Sequence, residues 1–230
     1  MKANRAHFLI NGFNGRMGQS LIRLLAQKNT HQYSNFKDFD PSHRHAIVQP
    51  LAIIDFSDPG DLEKVLLNDY QIPLVSGTTN LDNRQIDLAN KYSEAAPVML
   101  ASNFSYGVQT LSSSILNFIA ENPGITDCDI TEVHHTKKKD SPSGTAKSIS
   151  SEILELNPKI RINYISLRNH DVFGLHRISF FSSEKNVTFQ HQAFSRDIFA
   201  KGAIAAALWL RDQPNGMHSF KNFFEITFNK

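Results

Sequence analysis

A glycine-rich loop between a short apolar strand and a helix constrains the fold of this chain more than any other feature. Residues 7–10 are typical of a buried strand, and the sequence Gly12-Phe13-Asn14-Gly15-Arg16-Met17-Gly18 follows directly. Apolar residues then recur at helical spacing through residues 17–25. Glycines permit a tight turn and a close approach of the backbone to a pyrophosphate, whose charge the helix N-terminus attracts. The pattern favours a dinucleotide-binding unit, with a plain strand-to-helix turn as the alternative.

Strands and helices continue to alternate after this loop, which predicts a Rossmann-like, doubly wound parallel sheet of the α/β class. We expect strands at residues 51–55, 72–75 and 97–100, and helices at residues 60–69 and 86–93. Ligands of such sheets bind beyond the carboxyl ends of the strands. Besides the loop residues Gly12, Asn14, Gly15, Arg16 and Met17, the candidate nucleotide-binding residues at those ends are therefore Gly77, Thr78, Thr79, Ala101, Ser102, Asn103 and Phe104.

The second strand of a dinucleotide-binding unit normally ends in an acidic residue that holds the ribose hydroxyls. Asp38 is the preferred candidate here, and Asp40 is the alternative. The polar segment of residues 41–50, which contains His43 and His45, is expected to be a loop.

The pattern changes after Phe104, because helices and strands no longer alternate strictly. This predicts a second, α+β domain over residues 105–196, with residues 1–104 and 197–230 in the dinucleotide-binding domain. An apolar helix at residues 200–210 is expected to face the core with Trp209. A short tail rich in phenylalanine follows and is expected to pack on the first domain or on another subunit.

Residues 132–145 carry the densest chemistry in the chain, with paired histidines, three lysines and a Ser-Gly-Thr turn before a helix. Imidazole titrates near neutral pH, lysines neutralise anions, and the turn offers backbone N–H groups. Such a cluster can bind a substrate with more than one carboxylate and pass a proton to it. A solvated basic loop is the alternative.

Composition narrows the remaining classes. The chain has 230 residues, 40% of them hydrophobic and 20% charged, and its net charge of +2 gives no argument for nucleic-acid or membrane binding. Cys128 is the single cysteine and lies between Asp127 and Asp129, so we expect ordinary packing rather than a reactive thiolate. No metal is expected. No secretory or membrane-spanning segment is apparent, which suits a cytoplasmic enzyme.

In this order, the motifs resemble the dihydrodipicolinate reductase family (4-hydroxy-tetrahydrodipicolinate reductases) over nearly the whole chain. The longest match is Glu132-Val133-His134-His135 with Lys138-Asp140-Pro142-Ser143-Gly144-Thr145, which fits the family signature E-x-H-H-x-x-K-x-D-x-P-S-G-T. The other matches are Gly12 to Gly18, Asp55-Phe56-Ser57, Gly77-Thr78-Thr79, Asn103 to Val108, Gly174-Leu175-His176 and Ser195-Arg196.

The resemblance implies a role for each matching residue. His134 would be the acid/base residue, with Lys138 as its partner in proton donation. The substrate's two carboxylates would be held by His135, Lys138, Ser143, Gly144 and Thr145. It further implies NADH or NADPH as the cofactor, a function in diaminopimelate and lysine biosynthesis, and a homotetramer formed through the second domain.

The chain departs from the family pattern at several positions. Asn80 replaces the usual glycine after Gly-Thr-Thr but still tolerates left-handed backbone. Thr136 and Lys137 replace an Arg and a His that are common in the family, so individual contacts to the substrate could differ from those of the family. No arginine directly follows Asp38, which favours NADH, although Arg16 or Lys37 leaves NADPH open.

Two other interpretations compete with this one. Another Rossmann oxidoreductase could act on an imine or a semialdehyde, but a semialdehyde dehydrogenase needs an accessible thiol and Cys128 is poorly placed for that. A nucleotide-sensing protein would have no reason to keep His134 and Lys138. Among the other histidines, His7, His31, His43 and His45 are expected at the surface, and His176 is as compatible with a structural role as with a catalytic one.

Overall fold

The computed structural model describes residues 6–40 and 50–228. It divides into two compact units, one of residues 1–104 and 197–230 and one of residues 105–196. The predicted loop at residues 41–50, with His43 and His45, lies outside the described residues except for Pro50. Within the described ranges, none of the helices could span a lipid bilayer.

The first unit is built on a parallel sheet whose strands follow the order β10-β5-β4-β3-β1-β2. The central strands are short and apolar because both faces are covered, as expected for a parallel sheet. The strands are β1 (Ala6–Asn11), β2 (His31–Asn35), β3 (Ala52–Asp55), β4 (Leu74–Ser76), β5 (Pro97–Leu100) and β10 (Gly216–His218).

The helices of this unit begin at recognisable capping residues. Asp58 caps one helix and is followed by Pro59 at its first position, and Asp82 forms a capping box with Gln85 on the next. The helices are α1 (Arg16–Ala26), α2 (Pro59–Leu66), α3 (Asn83–Ser93), α6 (Asp197–Leu210) and α7 (Phe220–Phe228). The predicted α/β class and doubly wound sheet are thus confirmed.

A completely buried carboxylate joins the carboxyl ends of the central strands. Asp55, the last residue of β3, accepts hydrogen bonds from Asn11 Nδ2 at 2.8 Å, Ser76 Oγ at 2.6 Å and Thr78 Oγ1 at 2.7 Å. Ser57 donates to the same carboxylate from its hydroxyl and its backbone N–H. Burial raises the pKa of Asp55 even though these hydrogen bonds oppose the shift. The ends of β1, β3 and β4 are therefore fixed relative to one another.

The second unit packs two helices, α4 (Tyr106–Glu121) and α5 (Gly144–Leu156), on one face of a mixed sheet. The strand order is β7-β6-β8-β9, with β6 parallel to β7 and antiparallel to β8. The strands are β6 (Asp127–His134), β7 (Arg161–Arg168), β8 (Leu175–Phe181) and β9 (Asn186–Gln192). Alternate residues of β6, from Cys128 to His134, are buried. This alternation places Glu132 and His134 on the same face as the apolar core.

Several predictions concern packing; the surface position of His7 is wrong, and that of His31 holds only in part. His7 is not at the surface, because its side chain is buried in β1 and its Nε2 lies 3.0 Å from Ser34 Oγ. His31 is half-buried and packs edge-on against Phe8. In both cases a polar ring on a sheet strand is covered by its neighbours, which strand periodicity does not reveal.

The C-terminal tail is more ordered than predicted. It adds β10 to the sheet edge and then forms α7. Phe220, Phe223 and Phe224 are buried in the first unit, and Phe220 stacks edge-on against Phe104, which confirms packing on that unit. Trp209 contacts Phe223 from α6.

Candidate active site

The glycine loop of the first unit forms a tight turn that leaves no room for a side chain at residues 12 and 18. Gly12 has a φ of +78°, and a Cβ there would lie 2.4 Å from the carbonyl oxygen of Phe56. A Cβ on Gly18 would lie 2.3 Å from the carbonyl oxygen of Gly12, so α1 packs against the loop only because residue 18 is glycine. Gly15 is the N-cap of α1 and provides no side-chain cap. The backbone N–H groups of the first turn therefore suit a pyrophosphate.

The other predicted nucleotide-binding residues lie at the same edge of the sheet. Gly77, Thr78 and Thr79 follow β4, and Ala101 to Phe104 follow β5, which pairs with β4 in parallel. Thr78 is buried and anchored on Asp55, whereas Asn14, Arg16 and Ser102 are exposed. Asn80 has a φ of +60°, so it adopts the left-handed backbone expected at the position of the family's glycine.

Asp38 lies in a 3-10 turn, Phe36–Asp38, directly after β2. Its carboxylate is exposed and accepts a hydrogen bond from Asn35 Nδ2 at 3.3 Å. Lys37 forms an ion pair with Asp61 at 3.0 Å. The proposed ribose-binding carboxylate is thus accessible, while the neighbouring lysine is engaged elsewhere.

In the second unit, His134 ends β6 inside a cluster of ionisable side chains. Its ring is stacked edge-on against His176 of β8, with 5.0 Å between the ring centroids. Its Nδ1 lies 3.5 Å from Oε2 of Glu132. Both histidines are buried, and His176 Nε2 lies 3.3 Å from Ser143 Oγ. The acid/base candidate is therefore enclosed between a carboxylate and a second imidazole.

Glu132 is the centre of this cluster. Its carboxylate is fully buried and receives the backbone N–H of Ser143, with 3.1 Å to each oxygen. Arg168, the last residue of β7, approaches Oε1 to 3.4 Å. The same guanidinium donates to the carbonyl oxygens of Lys138 and Asp140. Glu132 and Arg168 thereby connect β6, β7, the start of α5 and the loop of residues 135–142, here called the lysine loop.

The lysine loop holds a carboxylate of its own. Lys138 Nζ forms an ion pair with Asp140 Oδ1 at 2.9 Å, and the backbone N–H of Gly144 donates to Asp140 Oδ2 at 3.3 Å. Ser143 caps α5 by accepting a hydrogen bond from the N–H of Ala146 at 3.2 Å. A lysine and a helix N-terminus therefore converge on one carboxylate.

Burial controls the charge of the two histidines. Burial, with Lys138 and Arg168 as lesser causes, lowers the pKa of His134 to about 4, although Glu132 and Asp140 oppose the shift. Burial and the neighbouring His134 lower the pKa of His176 to about 3. Burial disfavours the charge of Glu132, but the hydrogen bonds from Ser143, the Ser166 hydroxyl and the charge of His134 together outweigh it and lower the pKa of that carboxyl. At neutral pH the site therefore holds an ionised Glu132 beside two neutral imidazoles.

The structure brings most of the predicted substrate residues together. His134, Lys138, Ser143 and Gly144 are linked through Glu132 and Asp140, and Thr145 is buried in the first turn of α5. His135 follows His134 and is half-buried. Sequence reasoning gave no role to Glu132, Asp140 or Arg168. The alternation of buried residues in β6 was a usable signal for Glu132, whereas Arg168 is brought to the site by strand register alone.

Glu132, His134 and His176 each offer one ligand atom, and these atoms lie within 4.8 Å of one another. That spacing would suit a metal ion, but the donor set does not. The Glu132 carboxylate already binds the Ser143 N–H and faces the guanidinium of Arg168, which repels a cation. We therefore interpret the cluster as a hydrogen-bonded network rather than a metal site.

Cys128 is inert in this arrangement. It is buried in β6, and burial, with Asp129 as a second cause, raises its pKa to about 12. The expected structural role is confirmed, and the thiol chemistry of a semialdehyde dehydrogenase has no basis here.

The parallel sheet, its glycine loop and the buried acid/base cluster define a Rossmann-type oxidoreductase that uses NADH or NADPH. Comparison with known proteins narrows the class further. The family model described as "Dihydrodipicolinate reductase, N-terminus" matches residues 6–104, and "Dihydrodipicolinate reductase, C-terminus" matches residues 107–224.

Individual relatives agree with these family models. A 4-hydroxy-tetrahydrodipicolinate reductase of Campylobacter lari is 35% identical over 239 residues, which covers 94% of this chain and 98% of the relative. The enzyme of that name from Xanthomonas euvesicatoria pv. vesicatoria is 35% identical and covers 96% of this chain and 99% of the relative. The solved structure "Dipicolinate bound Dihydrodipicolinate reductase from Paenisporosarcina sp. TG-14" has the same fold, with a TM-score of 0.66, 19% identity and coverage of 95% and 99%. The chain belongs to the dihydrodipicolinate reductase family, as its motifs predicted.

The depressed histidine pKa values predict that acid weakens the fold. An unfolded histidine has a pKa of about 6.5, so below that pH the unfolded chain takes up protons that folded His134 and His176 refuse. Stability should be constant from this source above pH 6.5 and fall between pH 6.5 and 4, by up to ~1.4 kcal/mol per pH unit for each histidine. Urea unfolding of wild type and His134→Asn at several pH values measures the slope. The variant should lose stability less steeply, and identical slopes would contradict the assignment.

Proposed function

We propose that this chain catalyses the reduction of 4-hydroxy-tetrahydrodipicolinate to tetrahydrodipicolinate with NADH or NADPH, as its relatives' name implies, and that His134 donates the proton. One observation supports a substrate that carries carboxylates. Lys138 and the N-terminus of α5 already hold a carboxylate, that of Asp140, at 2.9 and 3.3 Å. A substrate carboxylate would meet the same donors, namely the Lys138 ammonium group and the backbone N–H of Gly144.

The nucleotide would be held by the first unit. The loop from Gly12 to Met17 would bind the pyrophosphate, Asp38 the ribose, and residues 77–79 and 101–104 the remaining part of the cofactor. When bound, the dihydronicotinamide supplies the two electrons of the reduction as a hydride. The exposed carboxylate of Asp38 and the ion pair that occupies Lys37 support a preference for NADH, because Lys37 is not available to a 2′-phosphate in this arrangement.

The hydroxyl group of the substrate and a hydrogen of the neighbouring ring carbon must leave as water, which gives an unsaturated ring conjugated with the imine and a carboxylate. Addition of hydride to this ring then leaves negative charge on it, which the protein must stabilise and then neutralise. Lys138 supplies a fixed cation, and His135 with the Ser143-Gly144-Thr145 turn would hold the two carboxylates. The protonated imidazole of His134 then donates its proton to the ring carbon next to the one that receives the hydride. Each of these groups belongs to one compact unit, so their geometry is set before substrate arrives.

His134 can donate a proton only if its imidazole becomes protonated when the substrate binds. In the free protein, burial and the cations Lys138 and Arg168 keep the pKa of His134 near 4, so the imidazole is neutral at pH 7. A dicarboxylate placed against Lys138 adds negative charge beside His134 and offsets that cation. The pKa of His134 then rises, and the imidazole takes up a proton when the substrate binds.

Replacing His134 tests the proton-transfer role. We expect His134→Asn to lower kcat by ~10²–10⁴-fold, because general acid catalysis is worth that much, while the dissociation constant for NADH stays within about twofold. NADH oxidation is followed with the condensation product of pyruvate and aspartate semialdehyde. His170→Asn is the matched control, since His170 is exposed and its φ of +27° tolerates asparagine. Wild type that fails to oxidise NADH would refute the reaction, and an unimpaired His134→Asn would remove His134 from its role.

We further infer a homotetramer in the cytoplasm, assembled through the second unit. The face of its sheet opposite the helices is uncovered within the unit and mixes polar and apolar side chains. Ile165 and Leu167 of β7 lie on it and are 38% and 51% exposed. Beside them, Arg177 donates to Gln190 at 2.9 Å and Ser179 lies 2.9 Å from Thr188. Flat, partly apolar sheet faces of this kind commonly mark subunit contacts.

A charge on this face should disrupt assembly. Leu167→Lys is expected to shift the sedimentation coefficient of the protein from tetramer to dimer or monomer, because an ammonium group would be buried without a partner. Leu67→Lys is the matched control, since Leu67 is 63% exposed in the first unit. The sedimentation coefficients of wild type and both variants are measured by analytical ultracentrifugation. An unchanged tetramer in the Leu167 variant would rule out this face, and a monomeric wild type would rule out the assembly.

A further inference from the structure

The carboxylate of Glu132 lies on one side of the His134 ring and faces only one of its nitrogens. Oε2 is 3.5 Å from Nδ1, and in the described part of the chain Nδ1 is buried without a hydrogen-bond partner. The contact is not a hydrogen bond in the free protein, and catalytic contacts of this kind commonly tighten when a substrate binds. An N–H on Nδ1 would nonetheless lie 3.5 Å from a carboxylate oxygen of Glu132.

The opposite side of the same ring is kept open by the backbone. Gly174 has a φ of +152°, which favours glycine, and a Cβ there would lie 3.4 Å from His134 Nε2. Any larger residue would cover that nitrogen. The two ring nitrogens therefore have different surroundings, with the buried carboxylate of Glu132 near Nδ1 and the backbone of Gly174 near Nε2.

We propose that Glu132 is a positioning residue that fixes the tautomer of His134, with hydrogen on Nδ1, so that Nε2 is the atom that transfers the proton. The inference rests on the proposed function and deepens it. In the reacting complex both nitrogens carry hydrogen. The Nε2–H bond breaks, its electron pair stays on Nε2, and the proton forms the new C–H bond on the substrate. The product imidazole then keeps its hydrogen on Nδ1, facing Glu132, and solvent replaces the proton on Nε2.

The charges around the ring explain why a carboxylate is needed at this position. His134 faces Arg168 from β7, His176 from β8, and Lys138 and Asp140 from the lysine loop. Two of these groups are permanent cations that oppose an imidazolium. Glu132 is the buried anion that compensates them at Nδ1, and Asp140 is already engaged with Lys138. Carboxylate–imidazole pairs of this kind orient catalytic and metal-binding histidines in general.

A merely structural role for Glu132 makes a different prediction. The carboxylate also accepts the N–H of Ser143, so its loss could simply loosen the turn that binds the substrate carboxylate. Such loosening would raise KM and leave the tautomer of His134 unchanged. The two roles are therefore separable by measuring the tautomer directly and by comparing kcat with KM.

The direct test is ¹⁵N–¹H correlation spectroscopy of protein labelled on its histidine rings, at pH 7 and without substrate. The His134 signals are assigned by their loss in His134→Asn. We expect a protonated Nδ1 in wild type and a shift towards a protonated Nε2 in Glu132→Gln. Glu132→Asp retains the charge and should restore the wild-type pattern at least in part. A protonated Nε2 in wild type, or an unaltered pattern in Glu132→Gln, would overturn the proposal.

Kinetics provide the second readout. Glu132→Gln should lower kcat by roughly 10–100-fold, the usual effect of removing a partner that orients a catalytic imidazole, with KM changed less than kcat. The matched control is Glu152→Gln, a carboxylate of α5 that accepts from Ser112 Oγ at 2.9 Å and should leave kcat unchanged. A rise in KM alone would overturn the proposal. If Glu132→Gln does not fold, the tautomer of wild type and of Glu132→Asp decides. The tautomer is measured without substrate. A wild-type protein that does not oxidise NADH would therefore refute the proposed reaction, and the NMR spectra would still test the role of Glu132.

Discussion

Each unit of this protein is organised around one carboxylate that has no contact with solvent. Asp55 in the first unit and Glu132 in the second are both fully buried near the carboxyl end of a strand. A buried charge is tolerated only when hydrogen bonds or opposite charges compensate it, so each carboxylate dictates its surroundings. Asp55 requires hydroxyl and amide donors from three strand ends, and Glu132 requires the Ser143 N–H and Arg168.

The same requirement prepares both ligand-binding regions. The donors that satisfy Asp55 are the last residues of β1 and β4 and one residue in each of the turns after β3 and β4, so these strand ends are held in place before a nucleotide arrives. The donors that satisfy Glu132 belong to the start of α5 and to the end of β7, whose arginine also clamps the lysine loop. Preorganised dipoles and charges stabilise a developing anion better than water does, because they need no reorientation during the reaction. The neutral state of His134 in the free protein follows from the same burial.

Much of this arrangement was predictable from sequence. Periodicity and turn residues predicted the parallel sheet, and the Gly12-to-Gly18 and His134-to-Thr145 motifs drew attention to the glycine loop and to residues of the buried ionisable cluster. Features that depend on distant pairing were not predictable. Arg168 reaches the cluster because β7 pairs with β6 in a register that sets it opposite His134, and no local pattern encodes that register. His7 was expected at the surface and is buried because β2 supplies Ser34 beside it. β10 was missed because a three-residue edge strand is too short to show periodicity. The residues of α7 were described only as a tail rich in phenylalanine.

The central claim is that a dicarboxylate turns a neutral His134 into an acid by its own charge. Calorimetric titration of the NADH-bound protein with pyridine-2,6-dicarboxylate tests it, in buffers of different ionisation enthalpy at pH 7. This ligand is fully ionised at that pH, so any proton taken up comes to the protein. Net uptake of a proton on binding, absent in a variant without the His134 imidazole, is the predicted result. Binding with no proton uptake by the wild-type protein would contradict the claim.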